Sequence, residues 1–307
     1  NDSIKYVAKN IKKYQPNYLI LVPLFVETMH KKMWDEIRKK GMEKKVRFAM
    51  KVSNLLMCFG IDLRKKFFAQ ILESYGGRLD AIVCGGAKLN PQCIKDYRAI
   101  GIEIQEGYGI TECSPLLAAN PINANRVGSV GPAVKGVTVK IDKEKETDET
   151  GEIIAKGPNV MLGYFNNPEA TAAVFTEDGF FRTGDIGYLD SKGYIHITGR
   201  KKNIIILSNG KNIYPEELEE HLAGHNLFAE YAVVGREKEG ELTITAVIYP
   251  NYDLLRGKTA EEIEGLVRQE LNEINRTLPQ YKQMRGLEIR ETEFEKTTSR
   301  KIKRHKI

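Results

Sequence analysis

Cysteine is scarce in this chain of 307 residues. There are four, Cys58, Cys84, Cys93 and Cys113, and none is spaced as CxxC. No disulfide framework follows from that pattern, and four buried thiols in a reducing cytosol are the expectation. Long apolar runs are also missing. No stretch approaches the roughly 18–20 residues of a membrane-spanning helix. The most apolar one, Leu19 to Val26, is broken by Pro23 and reads as a buried strand. Histidine is rare, five in all. The one spaced pair, His221 and His225, has Gly224 between its members and no glutamate after His221, which argues against a helical metal site. No signal peptide is visible, and the chain starts at Asn1 rather than Met, as expected of a fragment or a processed or trimmed product. Internal repeats, low-complexity tracts and aromatic-interleaved RNA motifs are lacking as well.

Apolar residues make up 41% of the chain and charged residues 29%, enough to bury a core and keep a surface wet. The length accommodates two domains, or one large domain with an appendage. The net charge of +6 is concentrated in two places. Lys31 to Lys51 carries nine Lys/Arg against Asp35, Glu36 and Glu43, and Lys296 to Lys306 forms a basic tail. Basic patches attract nucleic acid or anionic lipid. In the first segment Met29, Met33 and Ile37 recur every four residues, so a helix with one packed and one solvated side is the preferred reading. No nucleic-acid partner is expected. Peripheral contact with the inner face of a membrane stays open, as does the oligomeric state.

Residues 3–15 read as a helix with Ser3 as its cap, Asn17 to Val22 as a strand, and residues 26–75 as mostly helical. Leu79 to Cys84 is a short apolar run ending in Gly85-Gly86-Ala87. A helix follows around residues 91–100, with Pro91 in its first turn. The next strand, Ile102 to Gln105, ends in Glu106-Gly107-Tyr108-Gly109. Strand, glycine loop, helix, strand, glycine loop is the rhythm of an α/β domain with a largely parallel sheet, whose ligands bind at the carboxyl ends of the strands. From Val127 to Gly163 the alternation of Val137, Val139 and Ile141 suggests an antiparallel β-subdomain. After Arg200 the pattern changes again: a strand at Ile204 to Leu207, a helix at Pro215 to Leu222, strands at Tyr231 to Val234 and Leu242 to Tyr249. A helix over 259–276 follows, with Ile263, Leu266, Val267, Leu271 and Ile274 on one face. The expected architecture is the C-terminal part of a large multi-layer α/β domain with an antiparallel β-subdomain, over residues 1–201, followed by a small α+β domain over 202–307.

Four segments occur in order: Gly85-Gly86-Ala87; Gly107-Tyr108-Gly109-Ile110-Thr111-Glu112; Thr183-Gly184-Asp185 through Gly199-Arg200-Lys201-Lys202, with Asp190, Gly193 and Tyr194 in the intervening hairpin; and Lys296-Thr297-Thr298-Ser299-Arg300-Lys301-Ile302-Lys303. Together they resemble the motif set of the adenylate-forming superfamily. The stretch before Gly85 looks like the helical region of bacterial long-chain fatty-acid–CoA ligases.

The resemblance implies that a carboxylate and ATP form an acyl-adenylate, releasing pyrophosphate, and that the acyl group then passes to the thiol of coenzyme A, leaving AMP. Charge building on the α-phosphate calls for positioned cations and donors, and Mg²⁺ calls for oxygen ligands. By resemblance, Gly85, Gly86 and Ala87 border the adenine, because glycine lets backbone approach a flat ring. The same resemblance assigns Glu106 to Gly109 to the nucleotide, with Tyr108 as a stacking face. Thr111 offers a hydroxyl to the phosphate, and Glu112 is the Mg²⁺-associated carboxylate. Asp185 accepts from the ribose hydroxyls and Arg200 contacts the nucleotide. Lys301 is the catalytic cation. Lys202 matches the hinge position, and the loop Ser208, Asn209, Gly210 and Lys211 lies toward the coenzyme A side. This chain departs from the family in having Glu295 where proline is usual and Arg300 where glycine is frequent.

The resemblance also implies a Ser/Thr/Gly-rich phosphate loop upstream. No such string lies between Asn1 and Gly85, so a fragment inactive alone is the expectation. Two other readings remain: an adenylation module that loads a carrier protein, and a non-catalytic nucleotide-binding relative.

Overall fold

In the computed structural model, which describes residues 4–208, 210–238, 241–297 and 301–307, the chain opens with α1 (Ile4–Tyr14), β1 (Tyr18–Leu21), α2 (Pro23–Lys39), α3 (Glu43–Cys58), α4 (Arg64–Phe67) and α5 (Ala69–Ser74). Then come β2 (Ala81–Gly85), α6 (Pro91–Ile100), β3 (Glu103–Gly109) and β4 (Leu116–Ala119). β1, β2 and β3 pair in parallel, and β4 closes this sheet antiparallel to β3. Asn90 starts α6 by accepting the Gln92 N–H at 2.8 Å, with Pro91 where its missing donor costs nothing. The face of α6 carrying Ile94, Tyr97 and Ile100 meets Ile82 and Ile104 of the sheet and Met29, Met33 and Ile37 of α2 in one core cluster. Burying each such side chain contributes about 1.5–3 kcal/mol over leaving it in water.

A second sheet holds β5 (Thr138–Asp142), β6 (Gly151–Lys156), β7 (Phe181–Leu189) and β8 (Ile195–Arg200) in that order, with α7 (Pro168–Ala173) between β6 and β7 in the chain. The remaining elements are β9 (Ile205–Ile206), β10 (Asn212–Ile213), α8 (Pro215–Leu222), β11 (Phe228–Lys238), β12 (Glu241–Pro250), α9 (Ala260–Arg276) and β13 (Gly286–Ile289). β11 and β12 are antiparallel, and β12 and β13 parallel. Period-two alternation splits this sheet: Val233 and Ile248 join Leu218, Leu222, Ile263, Val267 and Leu271 in one core, while Ala232 and Val247 meet Phe294, Ile302 and Ile307 in another. A capping box at Thr259 and Glu262 starts α9. The chain forms two compact units. One comprises residues 1–142, 153–183 and 188–197; the other comprises 143–152, 184–187 and 198–307.

The mixed α/β class and the parallel strands match the sequence-based expectation. Four details do not. The strand expected across Leu19 to Val26 is shorter and not buried: Tyr18 and Ile20 are 57% and 85% exposed. Among the described residues β1 pairs on one side only, and Pro23 begins α2, so apolar content there does not mean coverage. Second, Glu106 to Gly109 is not a loop but the end of β3. Third, the strand expected at Ile204 to Leu207 shortens to two residues, because Leu207 turns back to bond Lys211 at 3.0 Å. Fourth, Cys58 is exposed, unlike the three other thiols. Ser3, proposed as a cap, lies outside the described residues.

Candidate active site

In the first unit, parallel pairing sets Gly85 opposite Gly107 at the carboxyl ends of β2 and β3. A Cβ on Gly85 would lie 3.0 Å from the Gly107 carbonyl oxygen, so side-chain-free backbone is needed where the strands run side by side. Beyond β2, Gly86, Ala87 and Lys88 are exposed, and Leu89 drops into the core. Gly109 is fixed by a harder constraint: a Cβ there would sit 1.7 Å from the Pro115 carbonyl oxygen.

Along β3 the alternation buries Ile104, Glu106 and Tyr108. Tyr108 is 7% exposed and packs with Cys113, Leu117 and Ala118, so its ring is held by the core. Glu106 is also 7% exposed, and its Oε2 is buried without a hydrogen-bond partner. Burial raises its carboxyl to about 7, against the opposing pull of Lys88 and the Leu89 N–H. A group shifted this far and left unsatisfied is a functional-site candidate.

Past Gly109 the chain makes a short 3₁₀ turn over Thr111–Cys113, with Thr111 exposed and Glu112 half-buried. The turn is braced by a segment that the sequence reading did not single out. Asn159 donates to the carbonyls of Cys113 and Leu116 at 3.0 and 2.8 Å, and the Met161 N–H donates to the Glu112 carbonyl at 2.7 Å. Tyr164 donates its hydroxyl to Glu112 Oε1 at 3.1 Å. The other carboxylate oxygen takes no hydrogen bond among the described residues. This suits Mg²⁺, a hard cation that keeps its waters and binds through one or two carboxylates plus substrate phosphates.

The second unit holds the other motif residues. Gly184, at φ +71°, kinks β7 and breaks its alternation, so that Asp185 and Ile186 are buried in succession. Asp185 is 4% exposed and pairs with Arg200, Nε to Oδ1 at 2.8 Å. Glu152 supports the kink. It accepts the Gly184 N–H at 3.2 Å and pairs with Lys201 at 2.9 Å. Its distance in sequence hid it from the motif reading; the only signal is a Gly-Glu pair opening an apolar strand.

The C-terminal tail separates its cations by partner. Lys296 pairs with Glu230 and Glu293, Lys303 and Lys306 lie 3.8 and 3.9 Å from Glu295, and Arg304 grips both oxygens of Glu219 at 2.5 and 2.6 Å. Lys301, among the described residues, has no carboxylate within ion-pair distance. A bridge between Lys296 and Ile302, and the Thr297 hydroxyl accepting the Lys301 N–H at 3.1 Å, fix its backbone. Its ammonium titrates below the ordinary lysine value. Desolvation is the main cause, then the Arg200 guanidinium, with Asp185 pulling the other way. Asp185, Arg200 and Lys301 thus form one electrostatic group. Thr298, Ser299 and Arg300 lie outside the described residues.

Lys202 is exposed in the 3₁₀ turn Lys201–Asn203. Ser208, Gly210 and Lys211 lie on the hairpin between β9 and β10, where Lys211 sits 3.9 Å over the Tyr281 ring; Asn209 lies outside the described residues.

Two family models match: the AMP-binding enzyme model over residues 1–165, and the AMP-binding enzyme C-terminal domain over residues 202–307. The long-chain-fatty-acid–CoA ligase of Bacillus subtilis (strain 168) is 38% identical over 240 residues, 75% of this chain and 40% of that protein. The chloroplastic long-chain-fatty-acid–[acyl-carrier-protein] ligase AEE15 of Arabidopsis thaliana is 30% identical over 328 residues, 88% of this chain and 45% of that protein. Among solved structures, ATP-bound MatB from Rhodopseudomonas palustris superposes with a TM-score of 0.70 at 25% identity, covering 99% of this chain and 52% of that one. The chain spans about half the length of the proteins it matches.

Proposed function

The chain belongs to the AMP-binding enzyme family, and from that premise we propose that it is part of an acid–thiol ligase that activates a long-chain fatty acid. ATP and the acid give an acyl-adenylate and pyrophosphate; the acyl group then passes to coenzyme A, leaving AMP. The observation that carries the reading is Lys301, a desolvated ammonium grouped with Asp185 and Arg200 and, among the described residues, without an ion-pair partner, while Lys296, Lys303, Arg304 and Lys306 face carboxylates. Lys301 has no carboxylate to leave before its ammonium meets a phosphate.

In this reading Lys301 offsets the charge that builds as the fatty-acid carboxylate attacks the α-phosphate. Asp185 accepts from the ribose hydroxyls, with Arg200 beside it. Gly85 to Ala87 and Glu106 to Gly109 border the base, with Tyr108 as its aromatic neighbour. Thr111 donates to phosphate, and Glu112, oriented by Tyr164, holds Mg²⁺. The metal, when bound, neutralises phosphate charge. Residues 1–201 form the adenylation portion and residues 202–307 a small mobile domain hinged at Lys202, a division supported by the span of the C-terminal family model. Ser208 to Lys211 faces coenzyme A. The location is cytoplasmic.

The similarity to the acyl-carrier-protein ligase favours a second reading, in which the thiol belongs to a carrier protein. Offering ATP, Mg²⁺ and palmitate to the intact protein with either coenzyme A or acyl carrier protein separates the two. We expect ATP-dependent palmitoyl-CoA formation. Thioester on the carrier alone would replace the first reading with the second, and pyrophosphate release from no fatty acid would overturn both.

A further inference from the structure

We propose that the outward face of α3 and the turn leading into α4 form a docking surface for anionic lipid bilayers. Helix α3 is apolar on two opposite sides. Val46, Met50 and Ser53 face the core. The opposite stripe, Phe48, Val52, Leu55 and Phe59, follows the spacing i, i+4, i+7, i+11 of a single helix face. Phe48, Leu55 and Phe59 on that stripe are 69%, 60% and 74% exposed, and Ile61 and Phe67, further along the chain, are exposed as well. A solvated helix side does not need three large apolar side chains; an exposed apolar stripe of this kind marks an interaction surface.

Charge identifies the partner. Between Glu43 and Phe67 there are seven Lys/Arg against two acids, in a chain whose total is +6. Both acids are occupied by arginines: Glu43 by Arg38 and Arg47, Asp62 by Arg64. Lys44, Lys45, Lys51 and Lys66 are exposed and, among the described residues, unpaired. Protein interfaces are depleted in lysine. A lysine fringe around phenylalanine and leucine instead matches a helix lying in the plane of an anionic membrane surface. With 16 residues α3 is short of the roughly 20 needed to span, so it lies on the bilayer. Its inner edge is already anchored, with Arg47 stacked 4.3 Å over the Trp34 ring.

The test is co-sedimentation of the intact protein with phosphatidylcholine vesicles and with mixed phosphatidylcholine–phosphatidylglycerol vesicles, at low and high salt. Turnover is not read, so the outcome is independent of the ligase reading. We expect binding to the anionic vesicles that salt weakens. Lys44→Glu/Lys45→Glu/Lys51→Glu should reduce it on the order of 100-fold. Phe48→Glu/Phe59→Glu should reduce it about tenfold or more while circular dichroism and the unfolding midpoint stay unchanged, since both positions are exposed. Lys143→Glu/Lys145→Glu, exposed elsewhere, should leave binding near the parent value. Equal binding to both vesicle types, or unchanged binding by the phenylalanine variant, would overturn the proposal. So would failure to bind vesicles together with self-association that Phe48→Glu abolishes, which would make the face a contact between copies.

Discussion

Glu112 and Asp185 are carboxylates in different units, both given a ligand under the proposed function, and the fold holds them in opposite ways. Glu112 sits half-exposed on a three-residue turn and receives one hydroxyl. Asp185 is 4% exposed on a kinked strand, already paired with a guanidinium. The contrast follows from what each would bind. A carboxylate that shares a hydrated cation must stay wet and adjustable. One that reads two hydroxyls gains from being dry and fixed, and burial without a cation would be costly. The first region is tuned by solvent, the second by charge pairing.

The sharpest way to break this comparison is to remove the Lys301 ammonium from the dry group. In the intact protein, Lys301→Ala should slow pyrophosphate release by on the order of 10²–10³. Transfer from supplied acyl-adenylate should change far less. Lys303→Ala and Lys306→Ala, whose ammonium groups face Glu295, should behave like the parent. Equal losses in all three would reduce Lys301 to one charge in a basic tail.

The next effect is a pH dependence of stability. Glu106 is protonated in the folded chain up to about 7 but releases its proton near 4.5 when unfolded. Between those values the folded state holds a proton that the unfolded state has shed, so stability falls as pH rises through that window, and the full cost is present above it. Glu106→Gln should remove on the order of 3 kcal/mol of this fall. Urea unfolding from acid to mildly alkaline pH measures it as parent minus variant. Glu219, raised to about 7 by burial in the other unit, contributes with the same sign and remains in both. Parallel profiles for parent and variant would mean that Glu106 ionises freely.

Smaller still is the effect at the wet carboxylate. Glu112→Gln should raise the Mg²⁺ concentration for half-maximal adenylation by about 10–100-fold, and Tyr164→Phe by only about 2–10-fold, one hydrogen bond's worth. If Tyr164→Phe matched Glu112→Gln, the turn would be as rigid as the Asp185 kink and the contrast would fail.

The sequence revealed most where one element carries its own signal. Ile263, Val267, Leu271 and Ile274 announce α9, and Pro215 to Leu222 matches α8 to the residue. Motif strings placed Asp185 and Arg200 on one line of chemistry, and the structure joins them at 2.8 Å. What stayed hidden depends on partners distant in sequence. Glu152 reaches Gly184 across 32 positions and Tyr164 reaches Glu112 across 52. The exposure of Ile20 and Phe48 is likewise a property of what packs beside them, which no local pattern encodes.

Gly109 carries a consequence for any mutational survey of this protein. The Pro115 carbonyl occupies the space of its missing Cβ, so Gly109→Ala would force the strand and the returning chain apart. A selection scored on growth alone would rank Gly109 beside Lys301 as intolerant. Cooling would tell them apart: a folding lesion softens at low temperature, whereas a missing ammonium leaves the same deficit at every temperature at which the cells grow.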